Sequence, residues 1–566
     1  MSSRPVRERL ARAALGAAAL VALLAGCVSI PTSGVVNQGK PEATEQPVDV
    51  DVLPRGPRED ATQQQILEGF IDAAASPSGN YEIARQFLTP TFADEWESGA
   101  AVSVDVLADR SYTQLGDDLI RMRVVPQASL AENGQYIAAG STEPVQLEYR
   151  FEQVDEQWRI SLAPPGVLID ETSFRLVYRD YSLAFFDPEF RYVVPDVRWF
   201  AGRDSLQTSI VRALLAGPVE WLAPGVASAF PEGVQLGQST VPVTGGTAEV
   251  DLTGPAFDNL RTIQLMRYQL EQSLAPVRNV DDVSLTLNGV PLSAPETSDL
   301  PERTLRVDPR PAVYDGEAFG YLSSAGDQVT PIEGVSEQVV ALGPVGAALG
   351  SDATAAAVLA ADGVHFVRSG ADTVLLDPRD GLITPALDVD GTVWSVPRDA
   401  PDELAWFAED GSSAQIGVPW NADRIVSLQL SRDGTRMAAL LVDGSRTRLV
   451  AASVVRDGAG VPVELGPVTL ELAVSGGTPL DVAWLDSRTV GTLTQTSDSE
   501  TRLTVQELGT PAESRDGPPQ GIQVDGANSL RDLRILTSDG DLATGAGVGW
   551  QVQARELRFL VTQQTG

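Results

Sequence analysis

From about residue 310 to the C-terminus, helical periodicity vanishes and short apolar strands alternate with Asp-Gly turns. One unit, a turn followed by a small-apolar strand, keeps returning. It reads Ser351-Asp352-Ala353-Thr354-Ala355-Ala356-Ala357-Val358, then Asp390-Gly391-Thr392-Val393-Trp394-Ser395-Val396. The fullest copy is Ser431-Arg432-Asp433-Gly434-Thr435-Arg436-Met437-Ala438-Ala439-Leu440. Degenerate copies lie at Trp484-Leu485-Asp486-Ser487-Arg488-Thr489-Val490 and Thr537-Ser538-Asp539-Gly540. Repeats of about 40 to 50 residues are those of propeller blades. A single blade leaves both faces open, and stacking blades around an axis buries them. The spacing predicts an all-β propeller of five to seven blades over residues 301–566. A pair of β-sandwiches is the alternative.

Upstream, two α+β domains are expected. In residues 61–170, Ile66, Leu67, Phe70, Ile71 and Ala74 recur at helical spacing. Asn80 is expected to cap a second helix through Ile83, Ala84, Phe87 and Leu88, which Pro90 ends. Gln146 to Glu152 alternates strictly, and a turn at Asp155-Glu156 leads into a strand from Gln157 to Leu162. Helices ahead of a curved antiparallel sheet look like an NTF2-like domain, a fold that often hosts a pocket. Trp158, Phe87 and Phe92 are the expected filling of that pocket, most simply as core.

Residues 171–300 carry strand patterns at Phe174–Tyr178, Leu183–Phe186, Thr247–Leu252 and Val283–Leu287. Helices are expected from Asp204 to Leu215 and through Ile263, Met266, Leu270 and Leu274. The Leu214-Leu215-Ala216-Gly217-Pro218 helix end, the Phe230-Pro231-Glu232-Gly233 turn, the Ala248-Glu249-Val250-Asp251-Leu252 strand and the closing Leu287-Asn288-Gly289 resemble a GerMN domain in content and order. That family supplies no catalytic residues to carry over.

The N-terminus reads as a secretory signal. Arg4, Arg7, Arg9 and Arg12 precede an apolar run from Ala13 to Ala25. The run is shorter than the roughly 20 residues a spanning helix needs, and its flanks are those of a signal peptide over residues 1–26. It ends in Leu24-Ala25-Gly26-Cys27, which resembles the bacterial lipobox. Small residues fit the peptidase, and the Cys27 thiol is the nucleophile that takes the diacylglycerol. Cys27 is the only cysteine in 566 residues, so no disulfide forms within the chain. Residues 27–60, rich in Pro, Glu, Asp and Gly, are expected to be a tether behind the lipidated cysteine. A docked N-terminal strand is the alternative. The expected location is the extracytoplasmic side of the cell membrane, held by acyl chains of the palmitate kind. Two or more chains are needed for stable anchoring.

The formal charge is −36. The first 26 residues hold four Arg and one Glu, so the remainder is more acidic still. Such a surface repels phosphate backbones, and no nucleic-acid partner is expected. Lys40 is the only lysine.

Catalytic signals are sparse, and no catalytic residue is assigned. His365, the only histidine, sits in the strand pattern Gly363-Val364-His365-Phe366-Val367. It is the one candidate for a Ser-His-Asp arrangement, and a strand histidine is more simply structural. A His/Cys zinc site lacks ligands. No phosphate-binding or dinucleotide glycine loop appears in its strand–turn–helix context, and no Asp-x-Asp-x-Asp-Gly calcium loop is present. No cofactor or metal is expected. Among 77 acidic residues, sequence alone selects no glycosidase pair.

The order of lipobox, NTF2-like region, GerMN domain and propeller resembles the actinobacterial lipoprotein LpqB family over nearly the whole chain. Cys27-Val28-Ser29-Ile30-Pro31-Thr32-Ser33-Gly34 is similar to that family's mature start, and the Ser-x-Asp-Gly-Thr copy looks like a TolB-type repeat. The resemblance implies an accessory of a two-component system. Such a protein binds the extracellular domain of the sensor histidine kinase MtrB and modulates MtrA, with cell-wall homeostasis and division downstream. The alternative is a cell-wall protein that binds or hydrolyses glycan.

Overall fold

The computed structural model describes residues 54–564, apart from residues 142, 203, 204, 258 and 548. The signal segment, the lipobox residues Leu24, Ala25 and Gly26, Cys27 and most of the tether lie outside the described residues.

The first domain opens with helix Gln63–Ala74. Thr62 caps it in a reciprocal box with Gln65. Ile66, Leu67, Phe70, Ile71, Ala73 and Ala74 form its buried face, packed with Phe87, Tyr149, Phe151 and Ile160. Two four-stranded sheets complete the domain. In one, strands Ser111–Gln114, Leu119–Val124, Val145–Val154 and Gln157–Leu162 pair in chain order. In the other, Val102–Asp105 lies between Pro126–Leu130 and Val167–Asp170, with Tyr136–Ala138 at the edge. The expected helix through Leu88 is shorter and differently capped. A 3-10 turn at Ser78–Asn80 precedes helix Glu82–Arg85, and Tyr81, in the left-handed region, occupies the cap position. Pro90 starts the next helix, Pro90–Glu95, behind the Thr89 cap, because a proline loses no hydrogen bond at the first helical position. The end of the expected tether is attached: Asp60 and Gln157 exchange hydrogen bonds.

The second domain corrects another expectation. Phe174 to Val177 belongs to helix Glu171–Val177, because Asp170 accepts from the Thr172 and Ser173 amides and starts a helix there. The strand begins afterwards, as Tyr178–Phe186, and pairs along its length with Val193–Ala201. Helices Leu206–Ala216 and Leu260–Leu274 cover the sheet built on Thr247–Thr253 and its parallel neighbour Asp282–Leu287. Gly217 (φ 93°) ends the first of these helices.

Six blades follow. Blade 2 is Gly346–Leu349, Ala355–Ala360, Gly363–Arg368 and Val374–Asp377. Blade 3 is Ala386–Leu387, Val393–Ser395, Ala405–Phe407 and Ser413–Gln415. Blade 4 is Arg424–Leu430, Arg436–Asp443, Arg446–Arg456 and Pro462–Leu465. Blade 5 is Thr478–Trp484, Thr489–Gln495, Thr501–Glu507 and Glu513–Asp516. Blade 6 is Gly521–Asp525, Arg534–Thr537, Leu542–Ala546 and Gly549–Ala554. Blade 1 joins both ends of the propeller sequence. Its outer strands are Ala312–Tyr314, Phe319–Leu322 and Val329–Pro331, and its inner strand is Phe559–Gln563.

The repeated aspartates account for part of the periodicity: Asp433 and Asp486 of the repeat hold their turns, whereas in blade 3 the turn is held by Asp388 and the repeat's Asp390 pairs with Arg191. In blades 3, 4 and 5 the turn between the first two strands is held by a carboxylate accepting backbone amides. Asp388 takes the amides of Asp390 and Thr392, Asp433 that of Thr435, and Asp486 those of Arg488 and Thr489. The Asp539 copy is out of phase. It lies in the second turn of blade 6, and the first turn of that blade instead holds Asp532, which accepts from the Asn528 amide.

The second domain is seated on blades 3, 4 and 5. Val194, Val219, Trp221 and Leu222 share one buried cluster with Ala438, Leu440, Leu449, Val482 and Trp484 of blades 4 and 5. Burying each large apolar side chain contributes about 1.5–3 kcal/mol. Arg191 forms two hydrogen bonds to Asp390 of blade 3, and Trp199 Nε1 donates to the Gly509 carbonyl of blade 5 (2.9 Å).

Candidate binding cleft

A cavity of about 610 Å³ lies in the first domain. Helix Gln63–Ala74 forms one wall through Ile66, Glu68, Gly69 and Asp72. Residues 54–58, carrying Arg55 and Arg58, form part of the mouth, and Leu176 and Val177 line the far side. Phe87 closes over Gly69, where an added Cβ would meet its ring at 2.6 Å. Phe87 is thus a wall of the cleft, while Phe92 and Trp158 pack on the domain core as partly buried residues.

The polar end of the cleft is an ordered charge set. Arg110 donates to buried Asp105 through Nε (2.8 Å) and Nη2 (2.6 Å), which neutralises both. Burial raises the Asp72 carboxyl above the ordinary range. Arg110 opposes that shift, and Glu68 and Asp170 add to it. Burial also raises Tyr112 and, further, Tyr149. At Asp170 burial pushes the same way but is outweighed by hydrogen bonds from Ser173 and Thr172, which hold the carboxylate below its usual range. The cleft therefore combines apolar lining with one carboxyl whose affinity for a proton is raised by burial. No sequence motif marks this set: Asp72, the Asp105–Arg110 pair and Asp170 come from three separate stretches of the chain and are joined by the fold.

His365 lies on a strand of blade 2, and its Nε2 donates to Asp362 at 2.8 Å. The histidine is buried and Asp362 is exposed. Cys27 and the lipobox lie outside the described residues. Among the described residues no group of three or more His, Cys, Asp or Glu side chains could hold a metal ion, and no helix is long and apolar enough to cross a membrane.

These features define a class: two small α+β domains locked to a six-bladed propeller, with a mixed apolar and charged cleft in the first domain. Three family models match in that order. They are the lipoprotein LpqB N-terminal domain (residues 56–175), the sporulation and spore germination domain Germane (178–293) and the lipoprotein LpqB beta-propeller domain (320–558). The chain belongs to the lipoprotein LpqB family. It is 26% identical to lipoprotein LpqB of Mycolicibacterium paratuberculosis, over 91% of this chain and 92% of that one. It is 29% identical to lipoprotein LpqB of Thermobifida fusca, where the match spans about half of each chain (51% and 48%). TolB from Acinetobacter baumannii superposes with a TM-score of 0.33 at 11% identity, over 45% of this chain and 66% of that one.

Proposed function

We propose that this protein is an envelope lipoprotein, anchored through Cys27, that acts as an extracytoplasmic accessory of a two-component system. Its partner in this reading is the extracellular domain of the sensor kinase MtrB, and its output is modulation of MtrA. The supporting observation is the seam between the second domain and the propeller. With Trp221 and Leu222 buried against blades 4 and 5 and Arg191 tied to blade 3, the two form one stiff body. A stiff body on an anchored tether presents a fixed surface to a neighbouring membrane protein. The test is photo-crosslinking from propeller loops followed by pull-down from detergent-solubilised membranes, with Cys27→Ala as control. Enrichment of the kinase that needs both the anchor and the propeller supports the reading; loss of neither in the control sinks it.

The raised Asp72 carboxyl favours a second reading, a glycan-binding or hydrolytic wall protein. A carboxyl whose proton affinity burial raises, with Glu68 and Asp170 near it at a 610 Å³ cleft, is the kind of group that acid catalysis of glycoside cleavage uses. Turnover of wall glycan that Asp72→Asn abolishes would establish it, and no turnover by the unaltered protein would end it.

A further inference from the structure

The hairpin joining strands Tyr178–Phe186 and Val193–Ala201 carries its charges into the seam with the propeller. Its tip reads Asp187-Pro188-Glu189-Phe190-Arg191-Tyr192. The Asp187 side chain is 2% exposed, and its Oδ1 accepts from the amides of Arg191 (2.7 Å) and Tyr192 (2.5 Å). Phe190 turns the chain from the left-handed region (φ 57°) and packs on Phe186 at 5.3 Å. Two further parts of the chain converge on this tip. Arg191 reaches Asp390 of blade 3. The linker to the propeller pairs with the tip, because Val193 donates to the Glu302 carbonyl (2.9 Å) and Glu302 to the Arg191 carbonyl (2.7 Å).

One guanidinium here faces three carboxyl groups. Arg191 takes Asp390 in two short bonds, Nη1 to Oδ1 at 2.7 Å and Nη2 to Oδ2 at 3.1 Å. Its contacts with Asp187 (3.4 Å) and Glu189 (3.5 Å) are longer. Asp187 and Glu189 also hydrogen-bond each other, which two carboxyl groups do only with a proton between them. Burial raises Asp187 to about 6. Glu189 adds to that shift, and the Tyr192 and Arg191 amides and the Arg191 guanidinium oppose it. Arg191 holds Asp390 below the usual carboxylate range, with help from Arg456. Of the other titratable groups around the tip, Asp388 pairs with Arg456 at 3.0 Å and Tyr192 lies under the Arg191 guanidinium at 5.3 Å. Glu302 of the linker stands near Tyr192 and disfavours its ionisation.

We propose that this hairpin is a proton-sensitive clamp on the seam between the second domain and the propeller. With a proton shared by Asp187 and Glu189, Arg191 is left to Asp390, and the second domain and the linker are held on blade 3. Loss of that proton leaves two carboxylates that repel each other and compete with Asp390 for Arg191, so the seam loosens. The clamp is closed in mildly acid surroundings and released as pH rises through the point at which Asp187 ionises. This inference rests on the seam and needs neither functional reading.

The experiment is hydrogen exchange, read by mass spectrometry, of the full-length protein in detergent micelles at about pH 5 and about pH 8, with each rate divided by its intrinsic rate at that pH. The amides of Arg191, Tyr192, Val193 and Glu302 report the clamp. A carboxyl that keeps its proton to about 6 when clamped and to about 3.9 when released changes the opening equilibrium by about tenfold over that interval. Protection of these amides should fall by that factor. Asp187→Asn keeps the shape, accepts the same two amides through Oδ1 and donates to Glu189 through Nδ2. It should fold and hold the acid-side protection at both values. Glu189→Gln, at a half-exposed position, should shrink the fall as well, since its amide replaces the shared proton. Asp481→Asn removes a buried carboxyl of the propeller and should leave the fall in place. Equal protection at the two pH values in the unaltered protein, a full fall in Asp187→Asn, or a fall that disappears in Asp481→Asn would overturn the proposal.

Discussion

Arg198 and Asp196 stand two residues apart on strand Val193–Ala201 and close on each other as a bidentate pair. Nε meets Oδ1 at 2.9 Å and Nη2 meets Oδ2 at 2.7 Å, with side chains 1% and 2% exposed. Each also reaches beyond the pair. Arg198 donates to the carbonyls of Asn133 in the first domain (2.9 Å) and Gly217 at a helix end (3.2 Å), and Asp196 accepts from the Val219 amide (3.0 Å). One ion pair thus ties the first domain, the second domain and the segment that enters the propeller seam.

Removing one partner strands a buried charge, which costs about 3–5 kcal/mol. Arg198→Met and Asp196→Ala should each lower the unfolding free energy measured in urea by an amount in that range. Arg121→Ala is the control. Its pair with Glu148 is exposed, so the change should stay within about 1 kcal/mol. Equal effects at the two sites would remove the pair from its structural role.

The propeller was legible in the sequence because one residue type serves one local need. A turn carboxylate accepting amides recurs at Asp433 and Asp486, and at Asp388 two residues ahead of the Asp390-Gly391 turn that the sequence shows, so the turns recur as a period. Blade 1 was not legible, because its inner strand comes from the far end of the propeller sequence and no local pattern records a closure. Asp539 misled for a related reason: an Asp-Gly turn looks the same in the first or second hairpin of a blade. Phe174 to Val177 read as a strand because an apolar run that short fits either element, and the Asp170 cap decided it. The cleft left no trace in the sequence, since Asp72 and Arg110 become neighbours only in the fold.

Stability should fall as pH rises through neutrality. Burial pushes Asp481 up to about 7, although Ser427 Oγ (2.7 Å) and the Val524 amide (3.0 Å) donate to it. Burial likewise raises Asp525 to about 6 and Glu507 to about 7. An unfolded aspartate titrates near 3.9. Between about pH 4 and 7 the native chain therefore holds protons that the unfolded chain has released, and each raised group's contribution disappears as pH climbs through its folded value. Asp433 has the opposite sign. Burial opposes its ionisation, but Arg436 and the Thr435 and Ser431 hydroxyls outweigh it, so its contribution is lost only below the usual carboxylate range. The urea midpoint should be higher near pH 5 than near pH 8, and Asp481→Asn should reduce that difference. Ser427 can reverse its hydroxyl to accept from the new amide. A flat profile in the unaltered protein would refute the assignment.

Gly225 sets how closely the second domain approaches blade 4. A Cβ there would meet Ser453 Cβ at 2.8 Å, the Val454 carbonyl at 2.9 Å and the Thr435 carbonyl at 3.2 Å. Two of these atoms are backbone and have nowhere to go. Gly225→Ala should cost about 1–3 kcal/mol, the range for overpacking. The loss should appear as faster proteolysis of the linker between residues 293 and 311. Gly411→Ala, at a turn with nothing within 4 Å, tests backbone strain alone, because its φ is 84°. Proteolysis rates that rise equally in both variants would exclude a role for the close approach at the seam.

Closure of the ring rests on the last described strand. Phe559–Gln563 pairs antiparallel with Ala312–Tyr314 and, through Ala348–Thr562 and Leu349–Gln563, parallel with blade 2. Leu560 and Val561 are 1% and 0% exposed. Without this strand, blade 1 loses its innermost member and Ala312–Tyr314 presents an unpaired apolar edge, a template for aggregation. Deleting residues 559–566 should give a chain that aggregates or unfolds without a cooperative transition. Val561→Asp should do the same at full length, since it buries an unpaired charge. Val552→Asp, on an outer strand and 41% exposed, should change stability by no more than about 0.5 kcal/mol. If the truncated chain keeps a sharp transition at the same urea midpoint, the inner strand of blade 1 contributes nothing to closure and the ring is held by the inter-blade packing alone.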